Sequence, residues 1–328
     1  MKQVLTVLAG AGAMLLAGGA AWAQSLTFYT AGPGGLAEAL ANGFTEKTGI
    51  AVEVYQATSG DVLARLEAER ARPRADVVVL ASWGEGLDLM KQGYVANYVS
   101  PQAANLRAGW TEGGLAAQGG AALAVVINTN EVESPPTSWF DLTQADWQGA
   151  VTMPDPTLSG SAAEFIAVFV QNFQDRAWQL FRDLANNGLE VPGPNAAALN
   201  PVLSGERKAT LAAVDYISYG QIERGEALEV IYPEEGTVVA LRPIFLQEGA
   251  PNPAEGQQFV DYMLSPEGQE KVADVFLIPS LPTVKAKRPT PGDGFTALTP
   301  DWDFVASNIT DLVGRFRTEI VEGIVQNR

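Results

Sequence analysis

Three observations predict that this sequence folds as an α/β chain of two lobes with a ligand cleft between them. Short apolar strands alternate with helical patterns from Leu26 onward, the signature of a mostly parallel sheet covered on both faces. A longer apolar run, Ala121 to Asn128, is long enough to pass from one lobe into a second set of strands and helices. A further apolar segment without helical periodicity, Val238 to Ile244, can carry the chain back to the first lobe.

Residues 1–23 precede this fold. Lys2 supplies a positive start, Val4 to Ala21 is almost wholly apolar or small, and Ala21-Trp22-Ala23 is a small-x-small cleavage site. The expectation is a cleaved signal peptide, with Gln24 as the new N-terminus and a periplasmic destination. Gly10, Gly12, Gly18 and Gly19 thin the apolar run, which argues against a retained span of about 30 Å of hydrocarbon. The junction carries no cysteine for a lipid anchor.

The first mature unit begins with the strand Leu26 to Tyr29 and breaks at Ala31-Gly32-Pro33-Gly34-Gly35. Leu36, Leu40 and Phe44 mark one face of a helix that Gly49 ends, and Ile50 to Val54 is the next strand. Ser59-Gly60-Asp61 opens a helix through Arg70, Asp76 to Leu80 is a buried strand, and Glu85 to Lys91 a short helix. Beyond the crossover, Pro135-Pro136 and Trp139 to Trp147 read as a connection. Ala150 to Met153 then starts a second α/β set, with helices over 162–173 and 175–186 and strands over 209–214 and 229–232 around a helical turn at 221–224. Pro253 and Pro266 sit in the first turns of two further helices, where a missing N–H costs nothing. The predicted organisation is lobe 1 over 24–125 and 240–295, lobe 2 over 126–239, and C-terminal helices over 296–328 packing back on lobe 2.

Composition limits the function. The chain has neither cysteine nor histidine, so disulfides, the commonest general base and the commonest nitrogen ligand for zinc are all absent. No G-x-S-x-G elbow is present, and paired carboxylates carry little weight among 38 acidic residues. Binding is therefore favoured over catalysis, with an exported hydrolase as the rival class. The net charge of −17 disfavours nucleic acid as a partner. The reading is a monomer that needs no cofactor and has no metal ligands assigned.

Candidate ligand-binding residues stand at the strand-to-helix junctions, where open α/β sheets place ligands. Thr30 leads into the glycine-rich loop, and Ser59 with Gly60 opens the second helix. Trp83 follows the third strand, where it either stacks on a ligand or belongs to the core. Ser159, Gly160 and Ser161 precede a long apolar helix whose free N–H groups favour an anion, although capping alone would also explain them. Asp215, Tyr216 and Tyr219 end an apolar strand; the carboxylate suits a solute amine, while an arginine or backbone N–H is the plainer partner. The two phenols share a face only if the segment is helical. Glu235 lies in the turn Tyr232-Pro233-Glu234-Glu235-Gly236-Thr237, and Arg242 beyond the return crossover is read as stabilising that crossover.

Several of these pieces, in this order, resemble the periplasmic solute-binding proteins of ABC importers that include the ferric-ion and 2-aminoethylphosphonate binders. They are Phe28-Tyr29-Thr30, Ser59-Gly60-Asp61-Val62, Ala75-Asp76-Val77-Val78, Trp139-Phe140-Asp141-Leu142, Asp155 through Ala162, Asn252-Pro253-Ala254-Glu255 and Pro266-Glu267-Gly268-Gln269. The resemblance implies the type II periplasmic binding protein fold, a small anionic or zwitterionic solute such as 2-aminoethylphosphonate or an organophosphate, and an inner-membrane permease as partner. Ferric ion is the alternative cargo. Ferric members carry a histidine after the first strand and adjacent tyrosines later, whereas this chain has no histidine and separates Tyr216 from Tyr219.

Overall fold

The computed structural model describes residues 25–326, so the expected signal peptide lies outside the described residues. Strand β1 (Ser25–Thr30), helix α1 (Gly34–Thr48), β2 (Ala51–Gln56), α2 (Ser59–Ala68), β3 (Val77–Val79) and α3 (Trp83–Lys91) follow one another as βα units. β1 pairs in parallel with both β2 and β3. Gly49 ends α1 in the left-handed conformation, at φ 78°, and donates its N–H to the Thr45 carbonyl, the usual glycine stop.

A short strand, β4 (Thr111–Glu112), leads into β5 (Leu115–Asn128), the axis of the molecule. All 14 residues of β5 are buried. Its first half pairs antiparallel with β9 (Val239–Leu246), from Ala116↔Ile244 to Ala122↔Val239. From Leu123 onward its partners change to β7 (Ala209–Val214) on one edge and β8 (Leu228–Ile231) on the other. β6 (Val151–Thr152) extends this second half beyond β7. One sheet thus runs in the order β2-β1-β3-β9-β5-β7-β6. β5 begins earlier than the apolar run at Ala121, because Gly119 and Gly120 sit at a register shift that interrupts the apolar pattern without ending the strand.

The helices of the second half are α4 (Gly160–Phe173), α5 (Asp175–Asn186), α6 (Asn195–Leu203) and α7 (Asp215–Glu223). α4 is buried from Gly160 through Val170, with Phe165 and Phe169 stacked at 5.0 Å and Trp139 packed on Phe165. α6 has no counterpart in the sequence reading: Pro201 lies inside it and Pro194 precedes it, so its punctuation is that of a loop. α7 also corrects the reading of 214–219 as a strand end. The helix starts at Asp215, immediately after β7, and this puts Tyr216 and Tyr219 three residues apart on one helix.

α8 (Pro253–Leu264) and α9 (Pro266–Asp274) return to the first half, and β10 (Ile278–Pro279) pairs with β5 at Gly119 and Gly120. Two minor strands, β11 (Thr290–Pro291) and β12 (Gly294–Phe295), pair with each other before α10 (Trp302–Phe316). α10 touches both halves. Trp302 packs on Trp83 at 6.4 Å, Asp301 is held by Gln171 of α4, and Phe316 meets Phe181 of α5 edge-on at 5.2 Å.

Candidate functional site

Six helix N-termini converge on one cleft of about 560 Å³. Its walls are the β1–α1 loop (Ala31, Gly32, Pro33), the β2–α2 junction (Ala57, Thr58, Ser59), Ala81 after β3, the start of α4 (Leu158, Ser159, Gly160), the start of α6 (Pro194, Asn195) and the start of α7 (Tyr216, Ile217). Each βα unit leaves the first N–H groups of its helix without intrahelical partners, so six such ends facing one cavity make it electropositive despite the acidic chain.

Local sequence explains each wall. Thr30 is buried, and its hydroxyl accepts from the Gly32 N–H at 2.9 Å, so it ties the loop rather than lining the cavity. A side chain at Gly32 would place Cβ 2.9 Å from that same hydroxyl, which reserves the position for glycine. Thr58 caps α2 by accepting from Asp61 N–H and donates its own hydroxyl to the Asp61 carboxylate at 2.7 Å. Ser59 is buried and its Oγ has no partner within the protein.

Opposite stands α4. Ser159 caps it by accepting from Ala162 N–H, and its hydroxyl lies 3.1 Å from that of Ser161. Asn195, at the start of α6, contacts both serines, at 3.2 Å and 3.4 Å. At Gly160 the two halves come close: a Cβ there would lie 2.6 Å from Ser59 Oγ and 2.7 Å from a Glu85 carboxylate oxygen. Gly60 plays the reciprocal part, since its Cβ would meet the Thr157 carbonyl at 2.5 Å. Of the predicted residues, Ser59, Ser159, Gly160 and Tyr216 line the cleft, while Ser161, Gly60 and Thr30 buttress it.

Other predicted residues stand elsewhere. Asp215 is fully buried and ion-paired with Arg288, and it accepts a hydrogen bond from the Tyr232 hydroxyl at 2.9 Å. Burial pushes its carboxyl up to about 6, against the opposing pull of Arg288 and Tyr232. Its charge is answered by the chain, so it offers no free carboxylate to a solute amine. Tyr219 bonds to the Tyr232 hydroxyl at 3.0 Å and stacks on Phe276, outside the cleft lining. Trp83 is 1% exposed and belongs to the core beside Trp302. Glu235 takes the Ser138 hydroxyl and is likewise not part of the cleft wall.

Three residues carry more than the sequence suggested. Asn195 was hidden in an element that reads as a loop. Glu164, on α4, is buried and accepts from Ser82 Oγ at 2.6 Å, Gly84 N–H at 3.0 Å and Leu241 N–H at 3.3 Å, all from the other half. Arg242, on β9, reaches back to donate to the Ala31 carbonyl at 2.8 Å.

The arrangement is thus a cleft walled by helix starts from two halves joined through crossing strands. A model described as bacterial extracellular solute-binding protein matches residues 74–308. The chain belongs to that family. A Salmonella paratyphi A relative, provisionally named a 2-aminoethylphosphonate-binding periplasmic protein, is 26% identical over 333 residues, covering 92% of this chain and 94% of the relative. Among solved structures, the fructose-6-phosphate-bound periplasmic binding protein AfuA of Actinobacillus pleuropneumoniae is 24% identical, with a TM-score of 0.82 over 90% of this chain and 98% of that one. Iron-bound HitA of Pseudomonas aeruginosa is 23% identical, with a TM-score of 0.78 over 89% and 99%. The fold is thus that of the type II periplasmic binding proteins, as the sequence predicts, and solved relatives with this fold hold unlike cargoes.

Proposed function

We propose that this chain is the periplasmic solute-binding component of an ABC importer, capturing a small organic anion and delivering it to an inner-membrane permease. The observation that carries this reading is the start of α4 facing Ser59 across the cleft. Ser159 and Gly160 present a helix N-terminus there, and the Ser59 hydroxyl is a buried polar group without a partner in the protein. A phosphoryl or phosphonyl group would accept from both walls at once.

The same geometry favours an anion over ferric ion. Among the described residues, no three carboxylate, histidine or cysteine side chains cluster as metal ligands. Of the two predicted phenols, Tyr216 lines the cleft and Tyr219 does not. Burial holds the Tyr216 phenol above its ordinary range, which opposes the phenolate that a hard cation needs. With Asp215 committed to Arg288, an organophosphate suits the site at least as well as an aminophosphonate. Capture would proceed by closure of lobe 1 (24–125 and 240–295) on lobe 2 (126–239), bending where β5 exchanges partners at Ala122–Leu123 and where the chain returns at Val238–Val239. The partner exchange supports those hinge positions.

The test is native mass spectrometry of the protein as isolated, followed by calorimetry with 2-aminoethylphosphonate and fructose 6-phosphate. A retained organic phosphate or phosphonate, bound one to one without turnover, is the expected result. A retained ferric ion, or capture of uncharged solutes alone, would overturn the reading.

A further inference from the structure

Two arginines are buried beside the start of α7, and they are treated differently. Arg288 is closed off by Asp215, which pairs with it, and by the Tyr232 hydroxyl at 2.9 Å. Arg242 is 2% exposed, and among the described residues no carboxylate forms an ion pair with it. Its recorded partner is a neutral one, the Ala31 carbonyl, and its Nε is buried without any acceptor. The neighbouring groups are backbone at Ala31 and Gly32 and the phenol of Tyr216, all of which belong to the cleft wall. A Cβ built on Gly32 would stand 3.5 Å from Arg242 Nη2, so the guanidinium lies directly behind that part of the cleft wall.

A buried cation without a counter-ion is costly, and proteins normally pair it. Here the nearby acid is used up: Asp215 adjoins Tyr216 in sequence, yet its carboxylate is committed to Arg288. Desolvation accordingly pulls the Arg242 guanidinium below its usual range. We infer that Arg242 is the charge-selecting residue of the cleft, and that the counter-ion it lacks is the phosphoryl or phosphonyl group of the solute. This rests on the anion reading of the cleft and sharpens it. Selection is by charge, so a phosphate or phosphonate dianion is preferred to a sulfonate of the same shape, and a neutral sugar is rejected.

Arg242→Met and Arg242→Lys test this in the full mature chain. Met keeps the apolar stem volume, so the variant removes charge without opening a large cavity. Calorimetry would use fructose 6-phosphate, 2-aminoethylphosphonate, its sulfonate counterpart 2-aminoethylsulfonate, and fructose. Arg242→Met is expected to weaken the phosphorylated or phosphonylated ligand that wild type binds by on the order of 100-fold. Its unliganded melting temperature should be equal or higher, because an unpaired buried charge is gone. Arg242→Lys should recover part of the affinity. Affinity in Arg242→Met within roughly threefold of wild type would overturn the assignment and leave the cleft reading intact, since that span is under about 1 kcal/mol. A lower unliganded melting temperature would overturn it too, showing that Arg242 serves the Ala31 loop. If wild type itself takes up no phosphate or phosphonate, the reading of the cleft fails first, and this inference with it.

Discussion

The carboxylate of Glu164 should make the protein lose stability as pH rises through neutrality. It stands on α4 but hydrogen-bonds only to the other half, through Ser82, Gly84 and Leu241. Burial is the dominant influence and pushes its carboxyl up to about 7, with the three donors pulling the other way. Glu85, beside it, is pushed up to about 8 by burial and then by the negative charges of Glu164 and Asp88. A raised acid binds its proton more tightly in the folded protein than in the unfolded chain. The stability it contributes is therefore fully present below about pH 4.5 and is lost as pH climbs through 7. From pH 5.5 upward about 1.5 units of the Glu164 shift remain, worth about 2 kcal/mol at about 1.4 kcal/mol per unit. At roughly 2 °C per kcal/mol for a chain of this size, melting should fall by roughly 4 °C between pH 5.5 and 8.5. Glu85 acts in the same direction. In Glu164→Gln the slope should shrink, because the amide does not titrate and no longer repels Glu85, while the burial of Glu85 keeps part of it. Thermal unfolding at constant ionic strength reads both. A wild-type profile that is flat over this range, or a Glu164→Gln profile as steep as wild type, would refute the reasoning.

Two further substitutions probe the contact between the halves and the buried ion pair. Gly160→Ala, at the first position of α4, should weaken solute binding by roughly 5- to 150-fold, the equivalent of a 1–3 kcal/mol overpacking cost where the halves touch. The new Cβ would press on Ser59 and Glu85, calorimetry reads the loss, and unchanged affinity would show that this contact has no part in binding. Asp215→Asn should cost about 3–5 kcal/mol of stability by leaving Arg288 charged and unpaired. Chemical denaturation would show it, and a loss confined to amine-bearing ligands with full stability would return Asp215 to the binding site.

Much of this protein was legible in its sequence because the relevant signals are local. The βα alternation is written in residue spacing, and glycine or a hydroxyl residue at a junction announces where a helix begins. Ser59, Ser159 and Gly160 could be found that way, since the N-terminus of a helix that follows a strand in an open α/β sheet faces the cleft, whereas Tyr216 was placed at a strand end and its helix only appears in the fold. What the tertiary structure alone decided is which charges meet. Asp215 and Arg288 are 73 residues apart, and so a carboxylate that looked free for a solute is neutralised inside the fold. Arg242 and Ala31 are 211 residues apart, and only the fold brings that arginine to the loop that forms part of the cleft wall. Trp83 illustrates the same limit for packing, because the partner that buries it, Trp302, comes from the far end of the chain. Helix starts depend on residues within one turn of each other, whereas ion pairs and desolvation depend on what the folded chain brings within about 4 Å, and no spacing rule encodes that.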